Sequence, residues 1–314
     1  MDRPLILVTN DDGIDSAGLW ALAEAVLPLG EVLVVAPDRQ WSGGGRSMPK
    51  NVTGRIRPAS REIDGQRVTG FAVDASPALA VDHGVIELAP RRPDLVVSGI
   101  NFGANLGIEV TISGTVGAAL EASAFGIPAL AVSLEMGADH HLTGDAKADY
   151  AASKAIIHHL AEMLLDHRMP HDIDVLNVNV PATATPRTRW RLTRLSRHRY
   201  FLPVPPDRAS GEGRPGYRLI ENVGRAEPGS DIQTLMVDRM ISVTPLSLDL
   251  TSRVAMDVAP RQLPEAAVSG GPREPLAELF TWPASSSRFP DPGQGNGRSD
   301  LSKVALETVT GIAD

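Results

Sequence analysis

The sequence predicts an α/β protein with a mostly parallel sheet, helices on both faces and a C-terminal β-hairpin appendage. Short runs of Val, Leu and Ile without polar alternation are typical of strands buried on both faces. Stretches with helical spacing of apolar residues separate these runs, which is the alternation expected of a doubly wound sheet. The 314 residues suffice for one large domain with appendages or for two domains.

The predicted elements follow from these two periods. Strands are expected at residues 5–9, 32–36, 94–98, 127–133 and 175–180. Helices are expected at residues 16–27, 76–89, 113–125 and 145–166. Ser16 is the expected N-cap of the first helix, since a serine there precedes an apolar stripe that includes Leu19, Trp20 and Ala23.

The texture of the chain changes after Pro181. Residues 187–199 hold six arginines, some alternating with apolar residues, which favours a solvated strand face over a nucleic-acid site. Residues 203–216 are rich in Pro, Gly and charge and are predicted as a loop. Apolar residues at 232–246 flank Asp238 and Arg239, which predicts an extended β-hairpin.

These differences divide the chain into three predicted parts. Residues 1–186 form the α/β core, and residues 187–257 form a β-rich appendage for oligomerisation. Residues 258–314 form a tail rich in Pro, Gly and Ser that is expected to be poorly ordered, with a short weak helix near 301–309.

Composition and charge exclude several classes of protein. A net charge of −8 disfavours a stable nucleic-acid partner. The absence of cysteine excludes disulfides, thiolate zinc sites and a cysteine nucleophile. There is no run of 18 apolar residues and no signal-like N-terminus, so we expect no membrane partner and a cytoplasmic location.

Two adjacent carboxylates follow the first predicted strand, at the edge of the sheet where ligands bind. Asp11 and Asp12 repel each other unless a cation compensates their charge. Gly13 permits a tight turn that lets both side chains face one point. The alternative is an ordinary Asp-Asp-Gly turn with a helix cap at Asp15 or Ser16.

Later strand ends carry further polar groups. Ser42 lies in a Gly-rich loop that, taken alone, is equally typical of a flexible surface loop. Asn101 and Asn105 follow the strand at 94–98, and two Asn among three Gly exceed what turn formation requires. An Asn side chain offers an oxygen to a hard metal ion or an N–H group to phosphate.

The helix at 113–125 opens with small and hydroxyl residues, Ser113, Gly114 and Thr115. Free N–H groups and the dipole at a helix N-terminus attract phosphate, and the hydroxyls add donors. The alternative is a serine N-cap followed by small residues for close packing. Since these groups follow successive strands of one sheet, we favour a single site at which they meet.

Four motifs together resemble the SurE family of survival-protein 5′-nucleotidases: TNDDG, APDR with a following SG, SGINFGANLG and SGTVGAALEA. LNVNVP and SVTPL are weaker matches, and the resemblance spans roughly residues 5–250. It implies a Rossmann-like catalytic core and a metal-dependent phosphomonoesterase acting on nucleoside monophosphates, sometimes also on short polyphosphate, with 5′ and 3′ esters both open. It also implies a homodimer or homotetramer that exchanges its C-terminal hairpin.

The resemblance further implies the roles of the site residues. The implied ligands of one divalent metal ion per subunit are Asp11, Asp12, Ser42 and Asn101. The residues implied to hold phosphate are Asn105, Ser113, Gly114 and Thr115. An all-oxygen ligand set favours Mg²⁺ or Mn²⁺ over zinc. Asp11 is the first candidate for activating the attacking water, and an aspartyl-phosphate on Asp11 or Asp12 is the alternative.

Three other hypotheses are weaker. A nucleotide- or phosphate-binding regulatory protein would keep the same ligands without turnover, and hydrolysis of AMP with Mn²⁺ separates the two. A Rossmann oxidoreductase is disfavoured because no G-x-G-x-x-G follows the first strand. A histidine metal site is disfavoured because His140-His141 and His158-His159 are adjacent pairs, which do not face one point on a helix.

Overall fold

A computed structural model of the chain describes residues 3–135, 148–167, 169–206, 213, 215–219 and 226–253. The predicted tail at 258–314, with its expected helix near 301–309, lies outside the described residues. The same holds for the His140-His141 pair. None of the described helices is long and apolar enough to cross a membrane.

Nine of the eleven described strands form one sheet, and the middle of that sheet is parallel. The strands in chain order are β1 Leu5–Thr9, β2 Glu31–Pro37, β3 Ile56–Ile63, β4 Gln66–Val73, β5 Leu95–Phe102, β6 Ala129–Leu134, β7 Val175–Val180, β8 Trp190–Leu192, β9 Phe201–Val204, β10 Gly216–Leu219 and β11 Ile241–Leu246. The sheet order is β3-β4-β2-β1-β5-β6-β7-β11-β8. All neighbours from β4 to β7 are parallel, whereas β3 pairs antiparallel with β4 and β11 pairs antiparallel with β7.

Five α-helices occur among the described residues and connect these strands. They are α1 Ala17–Val26, α2 Pro77–His83, α3 Gly114–Ala124, α4 Ala151–Asp166 and α5 Asp231–Met236. Serine side chains cap four of them by accepting a backbone N–H, at Ser16, Ser76, Ser113 and Ser230. The predicted helix at 76–89 is divided, since α2 continues as a π-helical turn over Gly84–Leu88.

The sheet is covered by helices on both faces, as the apolar runs predict. Along β1 the side chains alternate, so Ile6 and Val8 lie in one hydrophobic core and Leu5 and Leu7 lie in the other. The first core includes residues of α1 and α4, and the second includes residues of α2 and α3. Burial on both faces explains why these strands carry no polar alternation.

The predicted β-hairpin at 232–246 is wrong. Ser230 caps α5 by accepting the N–H of Gln233, and the buried side chains of Ile232 and Leu235 belong to a small third core. The chain then turns at Arg239, whose φ is +52°, and enters β11. A short amphipathic helix of six residues followed by a strand has nearly the same apolar spacing as two strands, so periodicity does not separate them.

A hairpin does form earlier, where β9 and β10 pair antiparallel as a separate two-stranded sheet. The segment 203–216, predicted as a loop, therefore begins and ends in strands. By contrast, β8 and β11 extend the main sheet, and residues up to Thr251 form one compact unit. The oligomerisation role of residues 187–257 stays a prediction.

The antiparallel pair β3 and β4 was not predicted from the sequence. Its outer strand is mostly exposed and carries three charged residues, so it lacks the apolar run that marked the central strands. The local signal was the turn: Asp64 and Gly65 have φ values of +49° and +74°. An Asp-Gly pair between two extended segments is a strong hairpin signal.

A glycine sets how closely α1 packs on the sheet. A Cβ on Gly18 would lie 2.2 Å from the carbonyl oxygen of Ile100 in β5. We expect Gly18→Ala to lower the free energy of unfolding by about 2 kcal/mol, because overpacking against backbone outweighs the roughly 1 kcal/mol that Ala gains over Gly in a helix. Urea denaturation measures this difference.

The matched control is Gly216→Ala, since a Cβ at Gly216 meets no atom within 4 Å. It should leave the free energy of unfolding within about 0.5 kcal/mol of that of the unmodified chain. Indistinguishable unfolding curves for the two variants would contradict the packing argument.

Candidate active site

The site is built around the carboxylate of Asp11, which follows the carboxyl end of β1. Its side chain is buried, and Thr115 Oγ1 donates a hydrogen bond of 2.5 Å to Asp11 Oδ1. Burial raises the pKa of Asp11, while the Thr115 hydroxyl and the backbone groups of Gly114 and Thr115 act in the opposite direction. The N-terminus of α3 is thus directed at this carboxylate.

A missing side chain permits this approach. A Cβ on Gly114 would lie 2.7 Å from Asp11 Cβ and 2.8 Å from Asp11 Oδ2. A Cβ on Gly117 would lie 2.5 Å from the carbonyl oxygen of Gly45, in the loop that carries Ser42. The small residues of α3 therefore bring the helix against both the β1 carboxylate and the Ser42 loop.

The Ser42 loop is also held by backbone hydrogen bonds. The N–H of Trp41 donates to the carbonyl oxygen of Asp11 at 2.7 Å, and the N–H of Gly45 donates to that of Ile112 at 2.9 Å. Ser42 itself is exposed between these two anchors. This places its hydroxyl on the same cleft as Asp11.

Asp12 links three segments of the site. The backbone N–H of Phe102 donates to Asp12 Oδ2 at 3.2 Å, and Gln40 Nε2 donates to Asp12 Oδ1 at 3.2 Å. The carboxylate therefore lies where the ends of β1 and β5 meet the Ser42 loop. Asp11 is buried and Asp12 is half-buried, and the helix cap of the alternative is present as well, since Ser16 caps α1.

Asn101 is placed by an irregularity in β5. The register between β5 and β6 shifts between Ser98 and Asn101, and Gly99 has a φ of +136°. A Cβ on Gly99 would lie 2.2 Å from the carbonyl oxygen of Val132, so glycine is required there. Asn101 Nδ2 donates to the carbonyl oxygen of Gly103 at 2.7 Å, which leaves the side-chain oxygen as the atom to meet a cation.

Asn105 is held by two buried asparagines of β7 that the sequence analysis did not assign to the site. Asn179 Oδ1 accepts the N–H of Asn105 at 2.8 Å, and the Nδ2 groups of Asn177 and Asn179 donate to its carbonyl oxygen at 2.9 and 3.0 Å. Asn105 Nδ2 donates to Ser133 Oγ at 2.9 Å. The signal was present in LNVNVP, since two amides in a buried strand need polar partners.

Several of the polar side chains that follow the strand ends line a cleft of about 400 Å³. We call one side the core wall, which includes Asp11, Ser42, Asn101, Asn105 and Ser113. We call the other side the hairpin wall, which consists of Arg199, Phe201, Pro203, Gly216 and Tyr217. The core wall also contains residues of the segment from Phe102 to Ile112.

The cleft brings together most of the predicted site residues. Five of them lie on the core wall, while Thr115 and Gly114 contact Asp11 from α3. Asp12 is not among the described residues that line the cleft. Ser113 Oγ caps α3 by accepting the N–H of Val116, as the alternative expects, and the residue also lies on the cleft. Its role in phosphate binding stays a prediction.

The donor atoms present are those of a hard cation. Among the residues that the structure describes, no group of three or more His, Cys, Asp or Glu is able to hold a metal. The cleft presents the carboxylate of Asp11, the hydroxyl of Ser42 and the amide of Asn101, while Asp12 accepts the N–H of Phe102 next to Asn101. Oxygen atoms of these kinds suit Mg²⁺ or Mn²⁺. The buried carboxylate of Asp11 is the group whose charge most needs this compensation.

Comparison with known proteins places this site in a family. The model of the family described as survival protein SurE matches residues 6–201. The 5′-nucleotidase SurE of Thermococcus gammatolerans is 42% identical over 250 residues, covering 79% of this chain and 92% of the relative. That of Archaeoglobus fulgidus is 43% identical over 255 residues, covering 81% and 95%.

A solved structure agrees with these sequence relatives. The crystal structure of the SurE protein from Aquifex aeolicus matches with a TM-score of 0.63 and 33% sequence identity, covering 81% of this chain and 98% of the other. Residues 6–201, which the family model matches, contain the strand ends and the α3 N-terminus of the core wall. The chain therefore belongs to the SurE family of survival proteins.

Proposed function

We propose that this chain is a metal-dependent phosphomonoesterase that hydrolyses nucleoside 5′-monophosphates to nucleoside and phosphate. The observation that carries the proposal is the buried Asp11 carboxylate facing the N-terminus of α3 on the wall of a 400 Å³ cleft. The volume of the cleft is in the range of small-molecule binding sites. Relatives about 40% identical over most of the chain are named 5′-nucleotidases, which supports the substrate.

One divalent ion, Mg²⁺ or Mn²⁺, is the proposed cofactor. Its proposed ligands are Asp11, Asp12, Ser42 and Asn101, whose side chains offer only oxygen to a cation. When bound, the ion would neutralise charge on the phosphoryl oxygens in the transition state. The net charge of −8 makes such a local positive device necessary for an anionic substrate.

The N-terminus of α3 and Asn105 are the proposed phosphate-binding groups. The helix dipole favours a negative ligand near this position, and the Ser113 hydroxyl adds a donor on the cleft, while the backbone groups of Gly114 and Thr115 face Asp11. Asn105 is presented to the cleft by Asn177 and Asn179, which fix its backbone on both the N–H and the carbonyl side. Preorganised donors of this kind stabilise charge that develops in the transition state.

Thr115 has a different proposed task from the one its motif implies. Its hydroxyl is committed to Asp11 Oδ1 in a fully buried contact. We therefore propose that Thr115 orients Asp11, which in turn accepts the proton of the attacking water. Attack by Asp11 or Asp12 on phosphorus is the alternative first step, and it leads to the same products.

The finer substrate range follows from the same chemistry. Nucleoside 3′-monophosphates and short polyphosphate present a terminal phosphoryl group to the same donors, and we propose them as secondary substrates. A panel of 5′-AMP, 3′-AMP and tripolyphosphate, assayed after chelation and metal readdition, tests the proposal. Binding of AMP without turnover under all metals would instead indicate a regulatory nucleotide-binding protein.

The assembly into a homodimer or homotetramer and the cytoplasmic location stay predictions.

Removal of either carboxylate should abolish most of the activity. We expect Asp11→Asn and Asp12→Asn each to lower kcat/KM for AMP by a factor of about 10² or more, because each weakens the binding and charge balance of the cation. Phosphate release with saturating Mn²⁺ measures this. The matched control is Asp15→Asn, an exposed carboxylate in the same loop, which should retain near-normal rates. A near-normal rate for Asp11→Asn or Asp12→Asn would remove that residue from the site.

Two serine caps separate folding from phosphate binding. Ser113→Ala and Ser230→Ala each remove an N-cap hydrogen bond, and each should cost about 1 kcal/mol of stability. Ser113 alone of the two lies on the cleft. We expect only Ser113→Ala to raise the inhibition constant of inorganic phosphate, by about fivefold to tenfold.

Thermal unfolding and competitive inhibition by phosphate are measured on both variants. The same inhibition constant in Ser113→Ala as in Ser230→Ala, with similar losses of stability, would show that Ser113 acts only as a cap.

A further inference from the structure

We propose that the hairpin wall is a nucleobase subsite, on which the base of the substrate packs against the rings of Phe201 and Tyr217. This inference rests on the proposed function and specifies its substrate. A nucleoside monophosphate joins an anionic phosphate to a flat apolar base through a ribose. The cleft offers the matching pair of surfaces, since its core wall carries hydroxyl and amide groups beside the carboxylate of the proposed cation site, and its hairpin wall carries aromatic rings.

The aromatic residues form a connected array. The rings of Tyr200 and Phe201 pack edge to face with centroids 4.9 Å apart, and those of Phe201 and Tyr217 do so at 5.2 Å. Tyr217 is 59% exposed, although it lies in a strand and lines the cleft. Exposed aromatic rings beside a binding cleft are the usual platform for base stacking.

The platform is held in place against the core. Tyr200 is buried in the third core beside Leu106, and its N–H donates to Glu109 Oε2 at 3.1 Å. Glu109 lies on the cleft, in a short 3₁₀ helix that follows the Asn105 loop. The position of Phe201 is therefore fixed relative to the phosphate-binding residues, which lowers the entropy lost when a nucleotide bridges both walls.

A buried carboxylate makes a second connection. Asp231 Oδ2 accepts the N–H of Gly107 at 2.7 Å, and Asp231 Oδ1 accepts that of Ser196 at 2.9 Å. These bonds join the end of the Asn105 loop to the segment that leads into Arg199 and β9. A Cβ on Gly107 would lie 2.7 Å from the carbonyl oxygen of His198, which shows how closely the two segments approach.

Arg199 adds a cation to the same wall. It is exposed, it lines the cleft, and it forms no ion pair with any of the described residues. A guanidinium plane also stacks on aromatic faces, and therefore on a base. Recognition by rings and a guanidinium, rather than by a fixed hydrogen-bond pattern, tolerates every base and favours purines because they stack over a larger area.

The test compares substrates with and without a base. Kinetic constants for AMP, CMP and ribose 5-phosphate are measured on the full chain and on Phe201→Ala, Tyr217→Ala and Tyr217→Phe. In both alanine variants we expect the ratio of the KM for AMP to the KM for ribose 5-phosphate to rise by about tenfold. The alanine variants should also show a smaller preference for AMP over CMP. Tyr217→Phe should keep the AMP to ribose 5-phosphate ratio and the preference for AMP over CMP, because the ring is retained.

The control is Trp190→Ala, an exposed aromatic residue of β8 that packs near His159 outside the cleft. It should leave both ratios unchanged. Equal KM changes for AMP and ribose 5-phosphate in the alanine variants would overturn the base subsite. A smaller particle by light scattering with an unchanged AMP ratio would also overturn it and would indicate that the rings contact a second copy of the chain.

A binding measurement separates this inference from the proposed function. Calorimetry of AMP and ribose 5-phosphate with Mn²⁺ needs no turnover. Should the chain hydrolyse neither compound, the proposed function fails, while tighter binding of AMP that is lost in Tyr217→Ala still supports the subsite. Equal affinities for the two compounds in the unmodified chain would reject the subsite even if hydrolysis is observed.

Discussion

The approach of the α3 N-terminus to the Asp11 carboxylate is the contact on which the rest of the site depends. A carboxylate buried at the end of a central strand loses its hydration, and burial raises its pKa accordingly. The Thr115 hydroxyl and the backbone groups at the start of α3 offset part of this cost. Only glycine at position 114 permits the approach, because a Cβ there would overlap the Asp11 side chain. The proposed divalent cation would supply the remaining compensation.

The other strand ends are arranged around this contact by backbone hydrogen bonds. The Asp11 carbonyl oxygen accepts the N–H of Trp41, which anchors the loop after β2. The N–H of Phe102 donates to Asp12, which anchors the end of β5. Asn179 fixes the loop after β5 from the neighbouring strand β7. The flexible polar groups of the cleft are thus carried by segments whose own backbone has little freedom, as preorganised catalysis requires.

Local sequence patterns predicted the central strands and the edge of the sheet where the site lies. They did not predict the features that depend on contacts between distant parts of the chain. The parallel strands and the meeting of Asp11, Ser42, Asn101 and Asn105 follow from one rule, that the carboxyl ends of parallel strands share an edge. The hairpin expected at 232–246 failed because burial of Ile232 and Leu235 in a third core selects a helix there. The LNVNVP run indicates that Asn177 and Asn179 need polar partners, but their partner Asn105 is more than 70 residues away and local spacing does not identify it.

The two walls of the cleft come from parts of the fold with different constraints. The core wall is built at the ends of buried strands, and the register of these strands fixes the position of their backbone. A substitution on the core wall therefore disturbs the sheet as well as the site. The hairpin wall stands on a separate two-stranded sheet, joined to the core through Tyr200, Glu109 and Asp231. Contacts of these three residues hold the hairpin wall in position against the core wall. Other side chains of the hairpin are therefore free to vary without moving the groups around Asp11. The fold therefore allows the side chains of the proposed base subsite to change while the proposed phosphate site stays constant.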